Sequence, residues 1–329
     1  MKSTNSIIKQ IIRAVFLIFC VSVISFILVS LSPLDPIEMN LGQTIKGSMS
    51  PEQLQKIQEY WGVNTPLTER YIAWFKDFLR GDMNISLLYR RPVIQILQER
   101  LYSSLWLMGI AWLLSGFLGF FLGVLAGFKR NKIVDHIIHK YALISASVPS
   151  FWFALLLLII FSVWLDIFPI GMSVPIGMDF SNVTFKDRLY HAILPIITLI
   201  FVNSSAIILH TREKMIEVLD SDYVLFAKAR GENTFSIVFR HSIRNILLPA
   251  ITLQFVSISE IFGGSVLIET VFSYPGLGQA TVKAGLGGDV PLLLAITVVT
   301  ATIVFLGNLI ANLLYEIIDP RIGIKKKKE

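Results

Sequence analysis

An acidic residue, Glu260, stands inside a largely apolar stretch, three and six residues after Ser257 and Gln254. On a helix, this spacing places all three side chains along one side. A carboxylate within a membrane-spanning helix is costly and by default marks a functional position. We therefore predict that these residues line a substrate pathway and that Glu260 favours a cationic cargo. A hydrogen bond from Glu260 to a neighbouring helix is the structural alternative.

A second polar group combines two histidines with an aspartate. His136 and His139 are three residues apart and follow Asp135. This spacing suits a metal ion, but two histidines without a third strong ligand are a weak pattern for a metal site. We predict that they face lipid headgroups and that the chain binds no metal.

The motifs of several enzyme classes are absent. The sequence has no G-x-x-x-x-G-K-[ST] loop, so we predict that this chain does not bind ATP. It also has no G-x-S-x-G or H-E-x-x-H motif, and its apolar stretches hold no paired carboxylates. We expect a protein that is not an enzyme and has no cofactor of its own.

The elements that position these residues are membrane helices. Hydrophobic residues make up 54% of the 329 residues and charged residues only 16%, and the mean hydropathy is +0.66. Segments of about 20 apolar residues span a bilayer, and in lipid they must be helical to satisfy their backbone groups. The sequence predicts an all-α integral membrane protein with six transmembrane helices: 11–30, 105–128, 141–167, 194–210, 251–272 and 292–314.

Basic residues set the orientation. Lysines and arginines concentrate before the first span, after the second, after the fourth and at the carboxyl end, which places both termini inside (N-in/C-in). The net charge of +6 lies along this inner edge, which argues for lipid and against nucleic acid as its partner.

We divide the chain into an N-terminal transmembrane helix (1–32), an extracytoplasmic loop (33–104), a five-helix core (105–316) with a cytoplasmic loop (213–249), and a basic tail (317–329).

Short local patterns add detail to this division. "SPEQLQKIQEYWGV" and "LTERYIAWFKDFLRGD" predict two short amphipathic helices, the first capped by Ser50. The aromatic residues of the second face either the bilayer surface or neighbouring helices: Tyr71, Trp74, Phe75 and Phe78. Glycines at every fourth residue in the second span predict close helix packing: Gly119, Gly123 and Gly127.

Residues 222–250, here called the basic segment, lie between two apolar spans. They predict a helix that ends at Gly231 and a second helix from Thr234 towards Pro249. Its predicted face combines basic side chains with apolar ones, a combination that suits docking into a groove of a partner protein. The apolar residues of this face are Tyr223, Val224, Phe226, Ala227, Phe235, Ile237 and Val238. A connector whose arginines meet lipid phosphates is the alternative.

The basic segment together with the two residues after it, "DYVLFAKARGENTFSIVFRHSIRNILLPAIT", resembles the coupling loop of ABC-importer permeases of the dipeptide, oligopeptide and nickel branch. Ala227, Gly231 and Pro249 match the family pattern, whereas Phe226 replaces an alanine. Four further stretches, in the family's order, are similar to its motifs: "SPEQLQKIQEYWGVNTPL", "GDMNISLLYRRPVIQILQERLYSSLWL", "IETVFSYPGLGQA" and "DPRI". The likeness extends from the first helix to Arg321.

The resemblance implies a type I importer permease that forms half of a pathway for di- or oligopeptides or for nickel, free or chelated. It implies a second homologous permease, two cytoplasmic subunits that bind ATP and magnesium, and an extracytoplasmic substrate-binding protein. The membrane would be the cytoplasmic membrane of a bacterium or archaeon, crossed several times. The residues expected to contact the ATPase are Asp222, Tyr223, Phe226, Ala227, Arg230, Gly231, Arg240, Arg244 and Pro249.

Other classes fit the sequence less well. An ion-coupled secondary transporter working without an ATPase would leave the basic segment without a role. A membrane enzyme lacks its motifs, and a purely structural scaffold does not account for the ordered family patterns. Copurification of an ATPase, as opposed to transport by the chain alone, separates the importer from the secondary transporter.

Overall fold

A computed structural model describes residues 2–31, 50–60, 65–173, 184–238 and 242–318. The regular structure of these residues is helical, apart from one isolated bridge between Ile85 and Pro92. The helices are α1 (Lys2–Ser30), α2 (Pro51–Tyr60), α3 (Leu67–Leu79), α4 (Val93–Phe128), α5 (Ile133–Ser147), α6 (Ser150–Leu158, continued by a π-helical turn Ile159–Trp164), α7 (Phe185–Leu219), α8 (Asp222–Ala229), α9 (Thr234–Ile237), α10 (Ile243–Val271), α11 (Leu277–Leu286) and α12 (Val290–Ile318).

Within the described residues, five helices are long and apolar enough to cross a membrane, namely α1, α4, α7, α10 and α12. The bent pair α5 and α6 makes a sixth if it counts as one span. The all-helical membrane architecture is confirmed, whereas the count of six spans and the inward position of both termini stay predictions. The basic tail from residue 319 onward and residues 32–49 lie outside the described residues.

The third predicted span is not one continuous helix. Instead of a helix over 141–167, α5 and α6 meet at 103° across the break at Val148 and Pro149. Val148 is extended, with φ −84° and ψ 126°. A proline disfavours helical backbone at the residue before it, so the helix ends there.

The fourth span is longer than predicted. Helix α7 begins at Phe185 and not at 194, and Pro195 lies in its interior. Its first turn has a capping box: the Thr184 hydroxyl accepts from the Asp187 amide at 3.2 Å, and the Asp187 carboxylate accepts from the Thr184 amide at 3.1 Å. This polar cap starts the helix ahead of the apolar stretch. Pro195 has no backbone N–H to donate, and membrane helices tolerate this missing hydrogen bond.

The chain forms two compact units, residues 1–104 with 275–305, and residues 105–274 with 306–329. Residues 275–305, assigned from the sequence to the core, thus group with the first unit. The functional division into loop, core and tail stays a prediction.

In the first unit, the predicted short helices are present as α2 and α3. The Ser50 hydroxyl caps α2 by accepting from the Gln53 amide at 3.2 Å. Trp74 of α3 is buried in a cluster with Phe26 of α1 and Leu294 of α12. The aromatic face of α3 therefore packs on neighbouring helices, which was one of its two predicted settings.

In the second unit, the predicted glycine row packs α4 against α7. A Cβ atom at Gly123 would lie 2.6 Å from Cβ of Thr211, and one at Gly127 would lie 2.5 Å from Cβ of Met215. Only glycine permits backbones to approach this closely. The close packing predicted from the spacing is confirmed.

Candidate functional site

The basic segment turns at Gly231, as predicted. Helix α8 ends at Ala229, and Gly231 has a φ of +79°, a conformation that favours glycine. Two hydrogen bonds close the turn: the Gly231 amide donates to the Lys228 carbonyl at 2.9 Å and the Glu232 amide to the Ala227 carbonyl at 3.2 Å.

The second predicted helix of the segment, from Thr234 towards Pro249, crosses residues 239–241, which lie outside the described residues, so its continuity stays a prediction. The described parts are the short helix α9, and α10, which begins at Ile243 and continues through Pro249 to Val271. Pro249 is thus inside a membrane-spanning helix and does not close a separate one. Helices in lipid tolerate the missing backbone donor, so Pro249 does not mark an end.

The residues of the basic segment divide into buried and exposed sets. Val224, Ala227 and Ile237 form a small core in which α8 and α9 pack against the last turn of α7. Ala227, 5% exposed, therefore packs inside this chain. By contrast, Tyr223 is 44% exposed and Phe226 is 65% exposed, which leaves these two rings available to a partner.

Charged groups surround these exposed rings. Asp222, Lys228 and Arg230 are all exposed. The Arg230 guanidinium lies 5.9 Å from the centre of the Phe226 ring, within the range of a cation–π contact. Of the other residues predicted to face an ATPase, Arg240 lies outside the described residues.

The segment is anchored to three long helices. Val238, after α9, is buried with Met215 of α7 and Ile246 of α10, and Phe120 and Phe128 of α4 pack against them. In addition, the Asn245 side-chain amide donates to the Tyr223 hydroxyl at 3.0 Å. The segment and the adjoining ends of α4, α7 and α10 therefore share one set of contacts.

A buried ion pair beside this anchor was not predicted from the sequence. The Arg212 guanidinium donates twice to Asp135, at 2.6 and 2.8 Å. The same carboxylate accepts from the Asn131 amide at 2.9 Å, and its side chain is 1% exposed. Asp135, which precedes the two histidines in sequence, is thus committed to Arg212. The exposed pair Arg130–Asp220, at 2.8 Å, adds a second link between the α4–α5 connection and the end of α7.

The three predicted pathway residues lie in different surroundings. Gln254 donates to the Trp112 carbonyl at 2.5 Å, and its own carbonyl accepts from the Trp112 indole at 2.7 Å. Ser257 is buried and donates to the Gln254 carbonyl at 2.8 Å. Glu260 borders a cavity of about 180 Å³, whose lining does not include the other two.

No local pattern in the sequence predicts this cavity, because its lining comes from three helices that are far apart in the sequence, α6, α7 and α10. Its lining comprises Ser150, Leu199, Val202, Asn203, Ser205, Ala206, Glu260, Gly264 and Ile268.

Comparison with known proteins identifies relatives over almost the whole chain. Residues 119–324 match the family model described as "Binding-protein-dependent transport system inner membrane component", and residues 4–94 match the corresponding N-terminal model. The chain is similar to the oligopeptide transport system permease protein AppB of Bacillus subtilis, with 33% identity over 96% of this chain and 98% of the relative. It is also similar to the dipeptide transport system permease protein DppB of Escherichia coli, with 31% identity over 93% of this chain and 95% of the relative.

Proposed function

The chain belongs to the family of binding-protein-dependent transport system inner membrane components, and we propose that it forms half of the translocation pathway of an ATP-driven importer. It is an ABC-importer permease of the peptide branch and a multi-pass protein of the cytoplasmic membrane. Members of the family are components of transport systems, and the family is not one of catalytic enzymes. The other half of the pathway is a second, homologous permease.

Peptides are the proposed cargo. The two relatives named above are an oligopeptide permease and a dipeptide permease, and each matches nearly its full length. Nickel, free or chelated, is the second candidate that the sequence motifs suggested. The named relatives favour di- and oligopeptides, delivered by an extracytoplasmic binding protein.

The basic segment couples this pathway to two cytoplasmic ATPase subunits, which bind ATP and magnesium. The observation that carries this proposal is the division of the segment into a buried core and an exposed face. The core of Val224, Ala227 and Ile237 holds α8 and α9 together. The exposed Tyr223 and Phe226 are left for the ATPase.

Movement of the ATPase then passes to the membrane helices through the buried contacts of Val238, Met215 and Ile246. Because Val238 of the segment packs with Met215 of α7 and Ile246 of α10, displacing the segment displaces the ends of both long helices. Such a displacement drives transport only if the segment contacts the ATPase with different free energies in the outward-open and inward-open states. Of the remaining predicted contact residues, Asp222, Arg230, Arg240 and Arg244 supply charge and Gly231 supplies the turn. Pro249 lies inside α10, the long helix that the segment joins.

The proposed topology has six spans, with α5 and α6 forming the bent third one, and both termini inside. The Arg130–Asp220 ion pair supports this orientation, because it brings the basic α4–α5 connection to the end of α7, where the basic segment starts. Two basic connections on one side of the membrane agree with an inward location of both. Gln254 and Ser257 are proposed to hold α10 in place beside the pathway, and Glu260 to face it.

A site-specific crosslink tests the coupling proposal. A photoreactive amino acid at Phe226, in cells that express the complete transport system, should capture an ATP-hydrolysing protein. The matched control is Phe117 of α4, which is 76% exposed within a predicted span and should not capture it. Capture of lipid alone at Phe226 would contradict coupling, and peptide transport by the purified chain alone in liposomes would support a secondary transporter instead.

A further inference from the structure

The cavity beside Glu260 has a chemical character of its own. It lies among the start of α6, the middle of α7 and the middle of α10, all within the second compact unit. Its wall contains four polar residues, Ser150, Asn203, Ser205 and Glu260. Of the described residues that form the wall, Glu260 is the one that is charged, and none is a lysine, arginine or histidine.

The polar groups of the wall are left as hydrogen-bond acceptors. The side-chain amide of Asn203 donates to the Leu199 carbonyl at 2.8 Å, which leaves the Asn203 side-chain oxygen as an acceptor. The Ser205 hydroxyl donates to the Val202 carbonyl at 3.1 Å, so its oxygen also has lone pairs to offer. Among the described residues, the Glu260 carboxylate has no ion-pair partner within 4.0 Å.

From these groups we propose that the cavity binds the ammonium group of a cargo peptide, with Glu260 as its anionic partner. The inference rests on the function proposed above and assigns a chemical group of the cargo to one place in the chain. An ammonium group has three N–H donors and no acceptor. Glu260, Asn203 and Ser205 offer three acceptors on the wall of one cavity, which matches that pattern.

The electrostatics of the cavity favour a cation. The amino-terminal end of α6 borders the cavity at Ser150, and the end of a helix carries about half a positive elementary charge. An ionised carboxylate at Glu260 brings a full negative charge, which outweighs this partial positive one and favours a cation.

The same wall is a poor nickel site. Nickel and its neighbours among the divalent metals prefer imidazole, thiolate or several carboxylate ligands. The lining residues that the structure describes offer one carboxylate, one amide and two hydroxyl groups. These ligands suit an ammonium group better than a bare metal ion.

Glycine keeps the cavity open. Gly264 lines it, and a Cβ atom built there meets no atom within 4 Å. The volume of about 180 Å³ is well above the roughly 10–15 Å³ that a cavity needs, on this measure, to hold one water molecule. The neighbouring Gly263 is also without contacts within 4 Å, but it is not part of the lining. The two glycines therefore provide a matched pair for substitution.

The test uses the complete importer, with its binding protein and ATPase subunits, in proteoliposomes. The measured quantity is the uptake of a dipeptide with a free amino group per ATP hydrolysed, at saturating binding protein. Hydrogen bonds to charged groups are strong enough that Glu260→Gln should lower this ratio about tenfold. Glu260→Asp, which keeps the charge on a shorter side chain, should lie between Glu260→Gln and the wild type.

The glycine pair tests the cavity without touching the carboxylate. Gly264→Val should lower the uptake per ATP, because its side chain enters the cavity, whereas Gly263→Val should transport like the wild type. An unchanged ratio in Glu260→Gln would overturn the proposal, even if Gly264→Val lowers uptake. Loss of radioactive nickel uptake in Glu260→Gln, with dipeptide uptake retained, would overturn it in favour of a metal. Wild-type dipeptide uptake that needs no ATP would instead refute the importer function itself.

Discussion

Replacing Gly231 with aspartate tests whether the basic segment docks on an ATPase, because the change has a small effect on the fold and a larger one on the proposed contact. Gly231 has a φ of +79°, and a Cβ atom built there meets nothing within 4 Å. A side chain thus has space, and the cost comes from the backbone. Left-handed backbone costs an L-residue about 1–2 kcal/mol, with asparagine and aspartate the best tolerated. A negative charge just after the end of α8 opposes the helix dipole and adds about 0.3–1 kcal/mol.

A total near 2 kcal/mol by these two principles is too little to remove the protein from the membrane. Gly231→Asn is the matched control, because it has the same shape and tolerates the same backbone without the charge. If the segment docks on an ATPase beside Lys228 and Arg230, Gly231→Asp introduces a charge into that contact. We expect Gly231→Asp to lower transport at least fivefold and Gly231→Asn to lower it less than twofold, since buried interface charges cost several kcal/mol and the strain alone about 1.

The assay is peptide uptake by proteoliposomes containing the complete importer, together with the amount of ATPase that copurifies. Membrane levels of both variants should match the wild type. Normal uptake by a well-expressed Gly231→Asp variant would refute the docking argument. Equal loss in both variants would show that the turn, and not the charge, limits transport.

Two further substitutions probe the packing of the second unit, each with a control. Asp135→Asn should destabilise the protein by about 3 kcal/mol, because it leaves a largely buried arginine without its carboxylate. The control Arg130→Gln breaks an exposed ion pair and should cost less than about 1 kcal/mol. Equal shifts of the two variants in thermal unfolding of the purified protein would contradict this. Gly123→Ala places a Cβ atom 2.6 Å from that of Thr211 and should destabilise the protein by about 1–3 kcal/mol. In the control Gly109→Ala, on the same helix, the added Cβ atom meets nothing within 4 Å. Comparable melting temperatures for the two alanine variants would refute the packing argument.

The membrane helices were predictable because their signal is local. A run of apolar residues in lipid must be helical, so the spans near α1, α4, α7, α10 and α12 follow from hydropathy alone. The spacing of Gly119, Gly123 and Gly127 likewise predicted a close helix contact. Their bounds were less predictable, since polar residues extend the helices beyond the apolar stretch. Helix α7 begins at its capping box and α4 at Val93, both ahead of the predicted starts.

The break between α5 and α6 was missed because hydropathy does not register backbone geometry. Val148–Pro149 lies in an apolar run, so hydropathy predicted one uninterrupted helix across it. The opposite outcome occurs at Pro195 and Pro249, which lie inside continuous helices. A proline alone therefore does not decide whether a membrane helix ends, because the contacts around it determine whether the lost hydrogen bond is tolerated.

The turn in the basic segment was predictable because it depends on the backbone conformation of one residue. Gly231 was identified because a turn after a helix favours positive φ, and that conformation is present. The ion pair of Asp135 with Arg212 joins residues 77 positions apart, and no local pattern reveals it. The cavity beside Glu260 likewise depends on three helices that are separate in sequence.

Residues that share one sequence motif therefore serve different physical roles in the basic segment. Ala227 of α8 is buried in one cluster with Val224 and with Ile237 of α9, so its substitution would first disturb the segment's own core. Phe226, one residue earlier, replaces the alanine of the family pattern and is 65% exposed. A large exposed ring next to a buried small residue can enlarge the contact with a partner without disturbing the core beneath it. The departure from the family pattern thus falls where the structure leaves space for it, on the face proposed to meet the ATPase.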